Sequence, residues 1–100
     1  MAEARLTVNG AGRWLLEGEL GFASVPAILA HPGADITATE DIEVDLKGVT
    51  RADSAGLALL VAWLRESESL GQKIAFLNVP PQLLSIARVS GLDEILSLSQ

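Results

Sequence analysis

Few residue types in this chain of 100 residues could do chemistry, and their spacing narrows the field further. Its one histidine, His31, stands beside Pro32 in a predicted loop, and no spacing ties it to a serine nucleophile. It reads as a solvated loop residue. The absence of cysteine removes thiolate nucleophiles, disulfides and thiolate metal sites together. The single histidine excludes multi-histidine zinc sites, and the absence of tyrosine excludes phenolic acid–base chemistry. Neither G-x-x-x-x-G-K-[ST] nor G-x-G-x-x-G occurs, so no phosphate-cradling loop is encoded. Asp41, Glu43 and Asp45 share one face of a predicted strand, but at roughly 6–7 Å spacing they are too spread to enclose a hard cation. A solvated face is expected there, with no metal and no cofactor. Lys47 and Lys73 read as surface charges flanking strands, and Trp14 and Trp63 as packing residues.

One segment stands apart: Val49-Thr50-Arg51-Ala52-Asp53-Ser54-Ala55-Gly56-Leu57. It is placed past the carboxyl end of the clearest strand and at the amino end of the longest helix, where open α/β sheets receive ligands and partners. Unpaired N–H groups and the positive end of the helix dipole favour an anionic group there. Helix capping accounts for much of the pattern, because Asp and Ser are preferred N-cap residues. A cap uses one side chain, however, and this junction offers two. If Asp53 caps, Ser54 enters the first turn with its hydroxyl free. Gly56 costs a helix about 1 kcal/mol relative to alanine, which makes sense where another backbone or a partner approaches closely.

The elements around this junction follow from periodicity. A hairpin is predicted from Leu6–Val8, a turn at Asn9-Gly10 with Ala11-Gly12, and a strand from Trp14 to Leu20. Trp14, Leu16 and Leu20 lie on one face of that strand, with Glu17 and Glu19 opposite. A short helix from about Ser24 to Ala30 follows, with Ser24 as candidate N-cap and His31-Pro32-Gly33 as its stop. Residues 40–46 alternate as a strand with one buried face. A long helix runs from about Ser54 to Leu70 and closes at Gly71. Its first half is apolar almost all round, so it must be covered on more than one side. A strand over Ile74–Leu77 precedes a helix opened by Pro80-Pro81, running through Ser90 and ended by Gly91. One more helical turn and a strand-like tail are assigned to Leu92–Leu98. The order β-β-α-β-α-β-α gives an α/β fold, one domain over residues 1–100. Its mixed sheet of four to five strands carries helices mainly on the face opposite the acidic row.

Thirteen acidic against seven basic residues give a net charge of −6, without the basic footprint of a nucleic-acid reader. A hydrophobic content of 49% argues against disorder. The longest uncharged apolar stretch, Ala55 to Leu64, is half of the roughly 20 residues a spanning helix needs. The first residues carry no signal-peptide pattern, so a soluble, cytosolic domain is expected. Its apolar residues exceed what one small core requires, which points to a protein partner.

Three stretches carry a resemblance over nearly the whole chain: Glu17-Gly18-Glu19-Leu20 in the hairpin, Val44-Asp45-Leu46-Lys47-Gly48-Val49, and Asp53-Ser54-Ala55-Gly56-Leu57. With Gly71 and Ser90-Gly91-Leu92, they resemble the STAS domain family (sulfate transporter and anti-sigma factor antagonist). The resemblance implies a docking module rather than an enzyme, with Ser54 in the docking surface. Two subfamilies are open. MlaB-type subunits bind the cytoplasmic ATPase of an ABC transporter that moves phospholipids to maintain outer-membrane lipid asymmetry. Anti-sigma factor antagonists bind a serine kinase-type anti-sigma factor, which phosphorylates the residue matching Ser54. The run Asp53-Ser54-Ala55-Gly56-Leu57-Ala58-Leu59-Leu60 after Thr50-Arg51 is closer to the MlaB type, although that type often has threonine at the position of Ser54. The partner-binding residues expected are Thr50, Arg51, Asp53, Ser54, Ala55, Leu57 and Ala58, with Pro26, Ile28 and Leu29 of the short helix. The protein is expected in the cytoplasm, held at the inner membrane through its partner.

Overall fold

A computed structural model of the chain describes residues 3–9, 12–31 and 41–96. Strand β1 (Ala4–Asn9) and strand β2 (Arg13–Leu20) form the antiparallel hairpin, in register from Ala4↔Gly18 to Asn9↔Arg13. Asn9 belongs to β1, and the positive φ described in this turn falls on Gly12 at 77°; Gly10 and Ala11 lie outside the described residues.

Helix α1 (Val25–Leu29) connects β2 to strand β3 (Asp41–Ala52), and helix α2 (Ser54–Ser69) connects β3 to strand β4 (Lys73–Leu77). Helix α3 (Pro81–Val89) follows, entered from Pro80 as the paired prolines predict. The strand order is β1-β2-β3-β4, with β2, β3 and β4 mutually parallel. Each parallel strand is added on the same side of the last. Right-handed crossovers repeated in one direction put their helices on the same face. The result is a four-stranded mixed sheet with one covered face, and Asp41, Glu43 and Asp45 stand on the other.

The covered face holds the core. Leu16, Leu20, Ile42, Val44 and Leu46 from the sheet meet Leu59, Leu60 and Leu83 from the helices, all essentially without solvent contact. Trp14 and Trp63 meet edge to face, ring centroids 5.2 Å apart at 76°, so both tryptophans pack as their positions predict. Helices α2 and α3 are each followed by a glycine with φ near +70°, Gly71 and Gly91, the expected terminators. Leu92 to Leu96 makes the expected single turn, its Leu96 N–H donating to the Leu92 carbonyl at 3.0 Å, and returns Leu96 to the core; Ser97 and Leu98, where the strand-like tail is expected, lie outside the described residues.

The largest departure from the sequence reading is the length of β3. Expected to end at Leu46, it runs twelve residues to Ala52. Gly48 lies inside the strand. The β2–β3 ladder shifts register between Leu15 and Glu17, and again between Gly18 and Glu19. At Gly48 the Glu17 side chain crosses so closely that a Cβ would lie 2.6 Å from its Cγ. A glycine at such an irregularity lets the strand continue rather than break. Val49 and Ala52 are then buried, while Thr50 and Arg51 face outward.

Candidate functional site

The amino end of α2 is assembled from four segments. Asp53 is the N-cap: its Oδ1 accepts from the Ala55 N–H at 2.8 Å, and its carbonyl accepts from Gly56 N at 3.0 Å. Its own N–H donates to the Leu20 carbonyl at 3.1 Å, joining the ends of β2 and β3. The helix start thus lies directly on the end of β2. A Cβ on Gly56 would stand 3.1 Å from the Leu20 Cβ and 3.4 Å from the Ala52 Cβ. That close approach is the reason for glycine in the first turn of a helix that otherwise disfavours it.

With Asp53 capping, Ser54 occupies the first helical position, exposed, and its hydroxyl makes no hydrogen bond among the described residues. The two adjacent candidates have separate roles. Asp53 is structural, and Ser54 is available.

The third segment is the turn between β2 and α1. Ser24 stands at the N-cap position of α1 without capping it. Its buried hydroxyl donates to the Glu19 carbonyl at 2.6 Å and accepts from the Gly21 N–H at 3.0 Å, while Val25 N–H donates to the Gly21 carbonyl at 2.9 Å. The expected cap is instead a clamp on the turn, because its hydroxyl reaches back rather than forward. The fourth segment is α3, whose Gln82 accepts at Oε1 from the Ala52 N–H at 3.1 Å, taking up the last donor of β3. Glu19, Phe22, Arg51, Asp53 and Gln82 line a cavity of about 390 Å³ at this junction. Beside it, Ser54, Ala58, Val61, Arg65 and Leu92 line a groove of about 310 Å³ along the outer side of α2.

Of the predicted partner-binding residues, Thr50, Arg51, Asp53, Ser54, Ala58, Pro26 and Leu29 are exposed, and Leu29 is 48% so. Three are not: Ala55 (8%), Leu57 (5%) and Ile28 (3%) are buried. Helices α1 and α2 touch each other and share the sheet's covered face, so Ile28 and Leu57 serve the core. Ala55 is held inward by the close seating of the first turn on Leu20 and Ala52.

Two residues of the site escape sequence reasoning. Phe22 is 78% exposed, an aromatic that composition alone assigns to the core. Gln82 carries no motif. Phe22 left one local signal, since Gly21 marks a chain reversal immediately before it.

The acidic row is occupied by local contacts. Asp45 Oδ1 accepts from the Lys47 N–H at 2.9 Å and from Asn78 Nδ2 at 3.0 Å. Asp45 also pairs loosely with the Lys47 ammonium at 3.9 Å, and Glu43 with Arg13 at 3.8 Å. Among the described residues no group of three or more potential ligands is arranged to hold a metal ion. No helix among them is long and apolar enough to cross a membrane.

A family model described as "Mlab, STAS domain" matches residues 4–98. No curated protein sequence matches the chain. Among solved structures, the anti-sigma factor antagonist SpoIIAA in its unphosphorylated form superposes with a TM-score of 0.70 at 21% identity, covering 97% of this chain and 99% of that one. The phosphorylated form of SpoIIAA from Bacillus gives 0.69 at 24% identity, over 91% and 86%. An anti-sigma factor antagonist from Mycobacterium paratuberculosis gives 0.74 at 20%, over 93% and 80%. At these identities the superpositions establish a common fold.

Proposed function

Because the chain belongs to the STAS domain family, we propose that it is a non-catalytic cytoplasmic subunit that docks on the ATPase of a phospholipid ABC transporter maintaining outer-membrane lipid asymmetry. The observation that carries this reading is the match of the MlaB-type model to residues 4–98. The geometry at α2 supports it. A docking module needs a rigid, accessible surface, and the helix start supplies one, fixed by the Asp53 cap and the Leu20 contact, with Ser54, Ala58 and Arg51 outward. The residue inventory offers no spaced nucleophile–base pair, which supports a binding role over turnover.

Ser54→Glu tests this surface. A carboxylate at the first position of a helix is favoured by the dipole, so the free protein stays folded. Against a packed partner the longer side chain must be fitted into a closed contact and its charge desolvated, which is costly. Titrating the transporter ATPase from the same organism with wild type, Ser54→Ala and Ser54→Glu should give binding by the first two and none by the third. Equal binding by all three removes Ser54 from the interface.

A second reading has its own support in the unengaged hydroxyl of Ser54 and in the SpoIIAA structures, which include unphosphorylated and phosphorylated forms. In it the protein is an anti-sigma factor antagonist, released from a kinase partner when Ser54 gains about −1.5 to −2 charge beside Asp53. Intact-mass spectrometry of the protein from its native cells separates the two: a phosphate on Ser54 favours the antagonist, a persistently unmodified chain the transporter subunit.

A further inference from the structure

We propose that Phe22 is the anchor of the docking surface, inserting into an apolar pocket of the partner protein whose rim carries Arg or Lys side chains. This inference rests on the docking reading above and names what that surface recognises. Phe22 is 78% exposed, yet it is not on a loose loop. Ser24 bonds both Glu19 and Gly21, Val25 N–H closes the turn on Gly21, and Gly21 packs so near the cap that a Cβ there would lie 3.1 Å from Asp53 Oδ2. The ring is held out to solvent by a turn that is itself clamped to the start of α2. An aromatic presented in this way loses little freedom on binding, the condition under which aromatic side chains become interface hot spots.

The spacing extends the surface. Phe22, Pro26 and Leu29 lie four and three residues apart, and all three are exposed, while Val25 and Ile28 between them are buried. The five-residue helix α1 therefore continues the anchor with an apolar stripe. Charge identifies the partner. The cavity beside Phe22 is lined by Glu19 and Asp53 against Arg51, a formal balance of −1, and neither carboxylate is ion-paired among the described residues. The whole chain carries −6. A basic rim around an apolar pocket complements both the ring and its surroundings.

The test is calorimetric titration of the full chain with the transporter ATPase of the same organism, at two salt concentrations. Phe22→Ala is expected to weaken binding at least roughly 30-fold, with a melting temperature within about 3 °C of wild type. Phe22→Leu is expected to recover part of that loss. Glu19→Gln is expected to weaken binding about two- to fivefold and to flatten its salt dependence. Wild-type affinity in Phe22→Ala, with Ser54→Glu inactive, overturns the anchor and leaves the docking reading standing. No binding by wild type overturns the docking reading and the anchor with it. Phe22-dependent self-association in sedimentation also overturns the assignment, because the occupant would then be a second copy of this chain.

Discussion

The open face of the sheet and the amino end of α2 are both exposed, and they treat their polar groups in opposite ways. On the open face the charges answer one another. Arg13 lies against Glu43, and Asp45 is taken up by Lys47 and by Asn78, whose φ of +54° turns the chain after β4 and brings its amide to that carboxylate. At the amino end of α2 the one carboxylate with an internal task, Asp53, spends Oδ1 on the helix cap, while Ser54, Phe22, Arg51 and Ala58 face outward without a side-chain partner among the described residues. Exposed polar surface that satisfies itself is solvated scaffold. Surface that holds an aromatic ring and a hydroxyl without a partner among the described residues, in a clamped geometry, is what the proposed docking requires.

The contrast can be broken most forcefully at Gly56. Branched bulk there meets Leu20 and Ala52, which cannot withdraw because they form the core side of β2 and β3. Gly56→Val should cost about 2–3 kcal/mol by overpacking and lift the first turn of α2 off the sheet, abolishing partner binding as well. Thermal melting should show a drop on the order of 10 °C for a domain of this size.

Asp53→Ala should act more gently, removing one cap bond for about 1 kcal/mol. Binding should fall less than in Ser54→Glu, since the close seating of the helix start on Leu20 remains. Chemical denaturation with the partner titrated in parallel separates the two effects.

The smallest change is expected on the open face. Glu43 is exposed and its contact with Arg13 is long, so Glu43→Gln should shift stability by less than about 0.5 kcal/mol and leave binding at the wild-type level. A strong binding defect in Glu43→Gln would erase the distinction between the two surfaces.

The sequence made part of this legible for a physical reason: hairpin, long helix and terminal helix are written in local signals. Alternation marks Trp14 and Leu16, and Gly71 and Gly91 close helices whose length periodicity already reveals. A cap at Asp53 or Ser54 and a close approach at Gly56 were readable from residue type at a helix start; that Asp53 is the cap and that Leu20 and Ala52 are what Gly56 meets were not. The extension of β3 to Ala52 was not, since its support comes from bulged pairing with β2 and from Gln82, thirty residues away. Nor could the apolar surplus be sorted in advance. Ile28 and Leu57 go inward and Phe22 and Leu29 outward because α1 packs on α2, a tertiary fact. Hydrophobicity counts the residues available for a surface but does not assign them.

Amide hydrogen exchange on the complex with the transporter ATPase tests the central claim most directly. Binding at the amino end of α2 predicts added protection from Leu20 to Ser24 and from Thr50 to Ala58, with exchange in β1 and in Asp41–Asp45 unchanged. Protection gained instead along β1 and the acidic row of β3, with the start of α2 exchanging as in the free protein, would contradict it.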